Sequence, residues 1–347
     1  MTGLWPAEQL EAVDRCPLCG SGDRTVLYRD LTDRMFFCAP GMWSLYQCNG
    51  CEGAYLDPRP TFESISLAYS SYYTHEPEGE SNVNPGAFGR LKRASYNGYL
   101  NARYNFNLEP AIYWTRWAVA AVPSIRLKRD LMVRHLRLER RGERLLDIGC
   151  GNGEFVRVAR RLGWDAEGLD PDPVAAAVGG TMGLPITVGC LPKIDYPDAS
   201  FAVVTMSHSI EHLHDPVASL REIRRILKPG GIVWIATPNL SSAGRKVFGA
   251  DWVGLDPPRH LVLFTDDSLI STLYRAGFDQ IRQVRAPFVS HNYFTCSHRI
   301  IRNEDPLSTN GSPLPRSLKR KATIADWRAL LRPGCGEEII FMTRRPL

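Results

Sequence analysis

Between residues 143 and 285 the chain alternates compact apolar runs with amphipathic stretches. RLLDIG, WDAEGLD, PITVG, FAVVTMS and IVWIATP read as strands, the continuous apolar ones as strands buried on both faces. EFVRVARRLG and PVASLREIRRIL carry apolar residues three and four apart and so predict helices laid on a sheet; PVAAAVGG predicts a shorter one. TDDSLISTLYRAG adds a helix with aspartates in its first turn and Gly277 just past its end. FDQIRQVR suggests a sixth strand and EEIIFMTRRP a last one. Strands alternating with helices at this spacing require a mostly parallel sheet, and right-handed crossovers make it doubly wound.

Outside that region the pattern changes. Residues 16 to 57 hold short strand-like runs, Thr25 to Tyr28, Leu45 to Gln47 and Ala54 to Leu56, among cysteines and glycines. A helical pattern starts near Thr61, a polar Pro- and Gly-rich loop covers 75 to 86, and helices broken near Pro110 and Pro123 fill 91 to 140. The expected division is a ribbon at 1–60, a helical lid and substrate region at 61–140, and a ligand-binding α/β domain at 141–347. The last contains a substrate-side insertion at about 286–336, read as loops with one helical run, ATIADWRALL. Tyr96, Tyr99, Tyr104, Phe106, Tyr113, Trp114 and Trp117, with Tyr69, Tyr72 and Tyr73, are candidates for the lid, most of them as helix-packing residues. AIYWTRWAVAAVPSIRLKR could lie on a membrane surface, but Pro123 interrupts it, so a buried lid is expected.

Composition narrows the class without deciding it. With 44% hydrophobic residues, 23% charged residues and a net charge of +5, the chain can bury an ordinary core, and the charge is too weak to argue for nucleic acid. No apolar run is long enough for a membrane span. MTGLWPAEQLEAVDRC is acidic and lacks the apolar core of a secretory leader, so a cytoplasmic location is expected. Oligomeric state is not legible.

Four of the nine cysteines form two C-x-x-C knuckles, Cys16/Cys19 and Cys48/Cys51. Two knuckles complete a tetrahedral thiolate site with no open position, which predicts a structural Zn2+. Cys38 lies between them without a partner. Few basic residues separate the knuckles, and this argues against a nucleic-acid role.

In Leu145-Leu146-Asp147-Ile148-Gly149-Cys150-Gly151-Asn152-Gly153-Glu154, glycines after a buried strand let a backbone turn approach a ligand. A dinucleotide fingerprint would want Gly or Ala where Glu154 stands. That disfavours a pyrophosphate ligand and favours one with a carboxylate, an amine and a nucleoside. Asp170, at the end of the second strand, suits ribose hydroxyls; Asp147 could orient the loop or meet an ammonium group.

Residues 143 to 285 resemble the class I S-adenosylmethionine-dependent methyltransferases. LLDIGCGNGEF is similar to their first motif, EGLDPDP to the ribose motif and SFAVVTMSHSIEHLHDP to the fourth-strand motif; LREIRRILKPGGIVWIATPN matches the elements that follow. The resemblance implies seven strands with the last antiparallel. It places methionine contacts at Asp147, Gly149 and Gly151, ribose contacts at Asp170, and adenine contacts at Pro171, Cys190 and Leu191, with Cys150 also in the cofactor-binding turn. YQCNGCEGAYLDPRP resembles the zinc-binding segment preceding some bacterial methyltransferases that act on sugars or other metabolites.

The expected reaction is O-methylation of a small molecule, a sugar or secondary metabolite, by in-line transfer with a histidine base. His212 with its neighbour Glu211, and His260 in the PPRHL loop, are the candidates; His208, His214, His291 and His298 rank lower. No acidic partner is clearly placed for a metal among these histidines. An RNA or protein methyltransferase gripping its substrate through the ribbon, and a non-catalytic zinc and nucleoside binding module, are the alternatives.

Overall fold

A computed structural model describes residues 4–69, 86–286 and 288–347; Tyr72 and Tyr73 lie outside the described residues. The N-terminal segment contains β1 (Leu10–Glu11), β2 (Arg24–Leu31), β3 (Trp43–Cys48), β4 (Ala54–Leu56) and β5 (Arg59–Pro60). Helices α1 (Ala87–Tyr104), α2 (Arg116–Ala121) and α3 (Pro123–Met132) follow. The first half of the α/β unit runs β6 (Arg144–Ile148), α4 (Glu154–Leu162), β7 (Asp165–Asp170), α5 (Pro173–Thr181), β8 (Ile186–Val188) and β9 (Phe201–Ser207). The second half runs α6 (Pro216–Ile226), β10 (Leu227–Pro238), α7 (Ala243–Phe248), β11 (Val262–Leu263), α8 (Asp266–Arg275), β12 (Arg282–Val284), α9 (Ser290–Ile301), α10 (Arg316–Leu331) and β13 (Glu338–Arg344).

Seven strands form the central sheet in the order β12-β13-β10-β9-β6-β7-β8. β8, β7, β6, β9 and β10 pair in parallel, and β13 pairs antiparallel with both β10 and β12. The doubly wound, mostly parallel seven-stranded sheet with an antiparallel last strand is the expected class I arrangement. Parallel strands covered on both faces must be apolar throughout: Leu145, Leu146, Val203, Val204, Val233, Trp234 and Ile235 are all buried.

Helix starts follow the local chemistry. Asp215 caps α6 by accepting from the Ala218 amide at 2.9 Å, and Pro216 occupies the first turn, where no amide partner is needed. Val217, Leu220 and Ile223 then recur at helical spacing and face the sheet. Each such burial contributes about 1.5–3 kcal/mol. Thr265 and Ser268 form a reciprocal capping box at the start of α8.

The N-terminal strands do not fold as a separate ribbon. β2, β3 and β4 form a four-stranded sheet whose edge strand is β11, supplied from far along the chain. Leu56 N donates to Leu261 O at 3.1 Å in continuation of that pairing. A shared core of Leu31, Trp43, Leu45, Leu56, Leu240, Trp252, Leu255, Leu261 and Phe294 lies across the junction.

Two expectations are corrected. The insertion holds two helices, α9 as well as α10; α9 (SHNYFTCSHRII) was missed because its polar residues obscure the apolar face that buries Phe294 and Ile300. The buried-lid reading fails at its aromatic centre. Tyr99, Tyr104 and Phe106 are buried, but Trp114 is 77% exposed and Trp117 70%. The buried three pack with Leu145, Val156, Ala159 and Trp234 against one face of the sheet. Trp114 sits on a 3-10 turn (Tyr113–Thr115) and Trp117 on short α2, and neither element can bury all sides of so apolar a run. No helix among the described residues is long and apolar enough to cross a membrane.

Candidate active site

The turn after β6 is built from backbone that only glycine adopts comfortably. Gly149, Gly151 and Gly153 have φ of 69°, 53° and 85°. A Cβ on Gly149 would stand 2.5 Å from Ser209 Cβ, so the turn packs directly on the segment following β9. Asp170, ending β7, reaches across the turn: Oδ2 accepts from Gly151 N at 2.7 Å and Oδ1 from Asp172 N at 2.9 Å. Burial raises its pKa to about 6, although these amides pull the other way. An acceptor-rich group with lone pairs to spare thus faces the turn.

Asp147 is fully buried and ion-paired to Arg134 from the segment after α3, while Thr205 Oγ1 donates to its Oδ1 at 2.9 Å. Its Oδ2 has no hydrogen-bond partner, leaving one carboxylate oxygen for an ammonium group. The Arg134 guanidinium lies over the Phe155 ring at 3.6 Å. This arginine was not foreseen, because its segment precedes the recognisable motifs. Cys150 packs its sulfur against Gly168, so its backbone, and not its thiol, belongs to the turn. On the far side Pro171 is exposed, Cys190 half-buried and Leu191 buried.

The second cluster sits beyond the carboxyl end of β9. Glu211, His212 and His260 offer atoms within 4.8 Å of one another. Glu211 is wholly buried; Thr237 Oγ1 donates to its Oε2 at 2.9 Å. Burial opposes its ionisation, but His208, 3.5 Å from Oε1, and the charges of His260 and His212 hold its pKa down to about 2. His212 is pushed down to about 4, by burial first and by His260 second. The two imidazole rings meet edge to face with centroids 4.8 Å apart.

The other histidines separate by position. His208, in a left-handed backbone conformation, lies between Glu211 and Glu338, and despite its desolvation the two carboxylates raise its pKa. Tyr293 of α9 donates to the same Glu338 at 3.2 Å. His214 binds the Pro60 carbonyl at 3.0 Å and ties down the N-terminal segment. His291 is exposed on α9, and the described contacts place neither it nor His298 in the cluster.

His260 is held from the N-terminal segment. Its neighbour Arg259 is fully buried and pairs with Asp33, just after β2, and with Asp256. It also donates to the Ala68 carbonyl at 2.9 Å. Tyr69 OH lies 3.0 Å from His212 Nδ1. Asp33 carries no motif, and Tyr69 stands out in the sequence only as a lid candidate; their places beside Arg259 and His212 emerge from the three-dimensional arrangement.

The four knuckle cysteines converge with ligand atoms within 4.8 Å. Cys16 and Cys51 sulfurs are 3.7 Å apart and those of Cys19 and Cys48 3.4 Å. Tetrahedral thiolates at the usual zinc–sulfur length would stand ~3.8 Å apart, so the donors fit such an ion. Both knuckles use the same turn: Gly20 N donates to Cys16 O, and Glu52 N to Cys48 O.

Sheet order and the glycine turn bridged by Asp170 are the arrangement of the class I methyltransferase fold. Residues 124–283 match the family model described as a methyltransferase domain. The ubiquinone biosynthesis O-methyltransferase of Cereibacter sphaeroides is 34% identical over 152 residues, 40% of this chain and 62% of that protein. The malonyl-[acyl-carrier protein] O-methyltransferase of Serratia marcescens is 30% identical over 133 residues, 38% of this chain and 51% of that protein. The chain thus spans from half to three fifths of the length of these curated relatives. A structure of Haemonchus contortus phosphoethanolamine N-methyltransferase 2 has 17% identity and a TM-score of 0.44, covering 88% of this chain and 64% of that one.

Proposed function

We propose that the chain methylates a hydroxyl of a small molecule, a sugar or secondary metabolite, using S-adenosylmethionine. The observation that carries this is the Glu211–His212–His260 cluster, set beyond the carboxyl end of β9 beside the glycine turn. Acceptors in open α/β sheets bind at that end of the strands. The relatives named O-methyltransferases support the choice of oxygen.

The cofactor supplies an electrophilic methyl group. Gly149 and Gly151 would admit it closely, Asp147 Oδ2 would receive its ammonium group, and Asp170 its ribose hydroxyls. Pro171, Cys190 and Leu191 would flank the adenine, with Cys150 contributing only backbone. The acceptor hydroxyl then lies against the second cluster, where the Nε2 atoms of His212 and His260 are the basic sites that take its proton. His212 is neutral at pH 7 and so available as a base. Glu211 orients the pair and offsets the positive charge that forms.

The four cysteines would hold a structural Zn2+. The N-terminal sheet spends one edge on β11 and sends Asp33 to Arg259, which supports a role in shaping the acceptor site over one in gripping a macromolecule.

The test is incubation of the full chain with methyl-labelled cofactor and a whole extract of its source, fractionated afterwards into small molecules, RNA and protein. A labelled small product with stoichiometric S-adenosylhomocysteine is expected. Cofactor binding without product would refute the proposal, as would label confined to RNA or protein. Replacing both His212 and His260 by Asn should cut turnover ~100-fold or more while cofactor affinity holds.

A further inference from the structure

We propose that Glu211, His212 and His260 form a binding site for one divalent transition-metal cation, separate from the four-cysteine site. The argument begins with proton positions. His212 Nδ1 lies 2.9 Å from the Arg259 carbonyl and His260 Nδ1 2.9 Å from the Gly254 carbonyl. A carbonyl oxygen can only accept, so each Nδ1 carries the hydrogen and each Nε2 presents its lone pair. A metal-binding histidine is commonly oriented in this way, with its distal nitrogen fixed by a backbone carbonyl.

The third donor is a buried oxygen that the protein does not satisfy. Glu211 is 0% exposed; its Oε2 is taken by Thr237, and its Oε1 receives no hydrogen bond. The imidazole nitrogens beside Oε1 are His208 Nδ1 at 3.5 Å and His260 Nε2 at 3.9 Å. Glu211, His212 and His260 thus each bring an acceptor to within 4.8 Å of the others, and the His208 imidazole, which can turn an N–H group to the carboxylate oxygen, stays 3.5 Å away, beyond a good hydrogen bond. Three converging acceptors in a buried place repel one another and forfeit hydration, and a cation at their centre removes both costs.

Two imidazoles and one carboxylate suit a first-row divalent ion of the zinc, iron(II) or cobalt type, and three protein ligands leave coordination positions open. Asp256 does not complete the set: its Oδ2 is 4.0 Å from His260 Nε2, and Arg259 holds the carboxylate. An open position beside the acceptor would let a hydroxyl oxygen bind and lose its proton to water, with no change of oxidation state. The two histidines would then be ligands and the cation would do the work of the base. That catalytic use rests on the function proposed above; the binding site itself does not.

The experiment is a Co2+ titration of the metal-stripped full chain, followed by absorption spectroscopy and metal analysis. Two equivalents are expected. One shows the strong near-ultraviolet thiolate-to-cobalt band of the cysteine site, and the other only weak visible bands from nitrogen and oxygen ligands. Glu211→Gln, His212→Asn and His260→Asn should each keep the first equivalent and weaken the second by ~100-fold or more. Circular dichroism checks that each variant remains folded. A single equivalent in the unsubstituted chain would overturn the proposal, as would a second equivalent undisturbed in all three variants. If methyl transfer proceeds with only the cysteine equivalent bound, the catalytic use of the cation falls and direct histidine catalysis stands, while the binding site is judged by the second equivalent alone.

Discussion

Acidification from pH 7 to pH 5 should weaken binding of S-adenosylhomocysteine about tenfold, and Asp170 should be the group responsible. The side chain is almost entirely shielded, so desolvation raises its pKa; hydrogen bonds from Asp172 N and Gly151 N recover part of the loss and leave it at about 6. Ribose hydroxyls donate strongly to the carboxylate and poorly to the protonated acid, so the ligand favours the ionised form. Affinity is therefore retained above the folded-state pKa and lost as pH falls through it. The ionised fraction is ~0.9 at pH 7 and ~0.1 at pH 5, which converts to roughly 1.3 kcal/mol of binding free energy. Isothermal titration calorimetry at constant ionic strength measures it directly. His212 and His135 both titrate near 4, below this window. Asp170→Asn should bind more weakly at pH 7 and show a nearly flat profile. Equal affinity at both pH values in the unsubstituted protein would refute the reasoning, and so would an undiminished slope in Asp170→Asn.

Arg259→Met should destabilise the fold by about 3–5 kcal/mol in urea denaturation, because it strands Asp33 and Asp256 as buried charges without their cation. Gly149→Ala should raise the cofactor Kd at least ~10-fold: the new Cβ meets Ser209 Cβ at 2.5 Å, and φ of 69° is strained for alanine. A simultaneous Ser209→Gly removes the clash and should restore part of the affinity; no recovery would mean that backbone strain dominates. Stripping metal with a strong chelator should lower the thermal midpoint by several degrees and restore it on adding Zn2+, since folding and thiolate ligation are linked. An unchanged midpoint would show that the four cysteines hold no structural ion.

The strands of the central sheet were legible because burial on both faces leaves an uninterrupted apolar run, as in LLDI and IVWIAT. The cofactor turn was legible because the positive φ values at 149, 151 and 153 demand glycines, and glycines are visible in a sequence. The cysteine knuckles were legible for the same reason: their spacing is local. What escaped was set by distance along the chain. Arg134 reaches Asp147 from the segment before β6, Asp33 reaches Arg259 across more than half the sequence, and Glu211 meets His260 only after the chain has added β10 and α7. No spacing rule records such encounters. Trp114 and Trp117 misled in the other direction: an apolar run interrupted by Pro123 suggested a buried segment, yet Trp114 stands on a single 3-10 turn and Trp117 on a six-residue helix, and both are exposed.

The N-terminal segment and the Glu211–His212–His260 cluster are mechanically one object. Leu261 N donates to Glu211 O at 2.9 Å, and Leu56 N donates to Leu261 O, so the residue beside His260 bridges the cluster and the four-stranded sheet. Val262 and Leu263 then pair with Tyr55 and Ala54, a few residues beyond Cys51. Asp33 neutralises Arg259 from the other end of the same sheet and also accepts from the Cys38 and Ala39 amides at 2.9 Å. Loosening the knuckles would therefore free the β4 edge and weaken the hold on Asp33. The 256–261 loop would then lose two of its fixed contacts. Free energy from ion binding at the four thiols would in this way reach the imidazole of His260 through backbone hydrogen bonds and one buried ion pair. A sheet so committed to an interior task has one edge fewer for an external ligand, and this ties the ribbon physically to the Glu211–His212–His260 cluster.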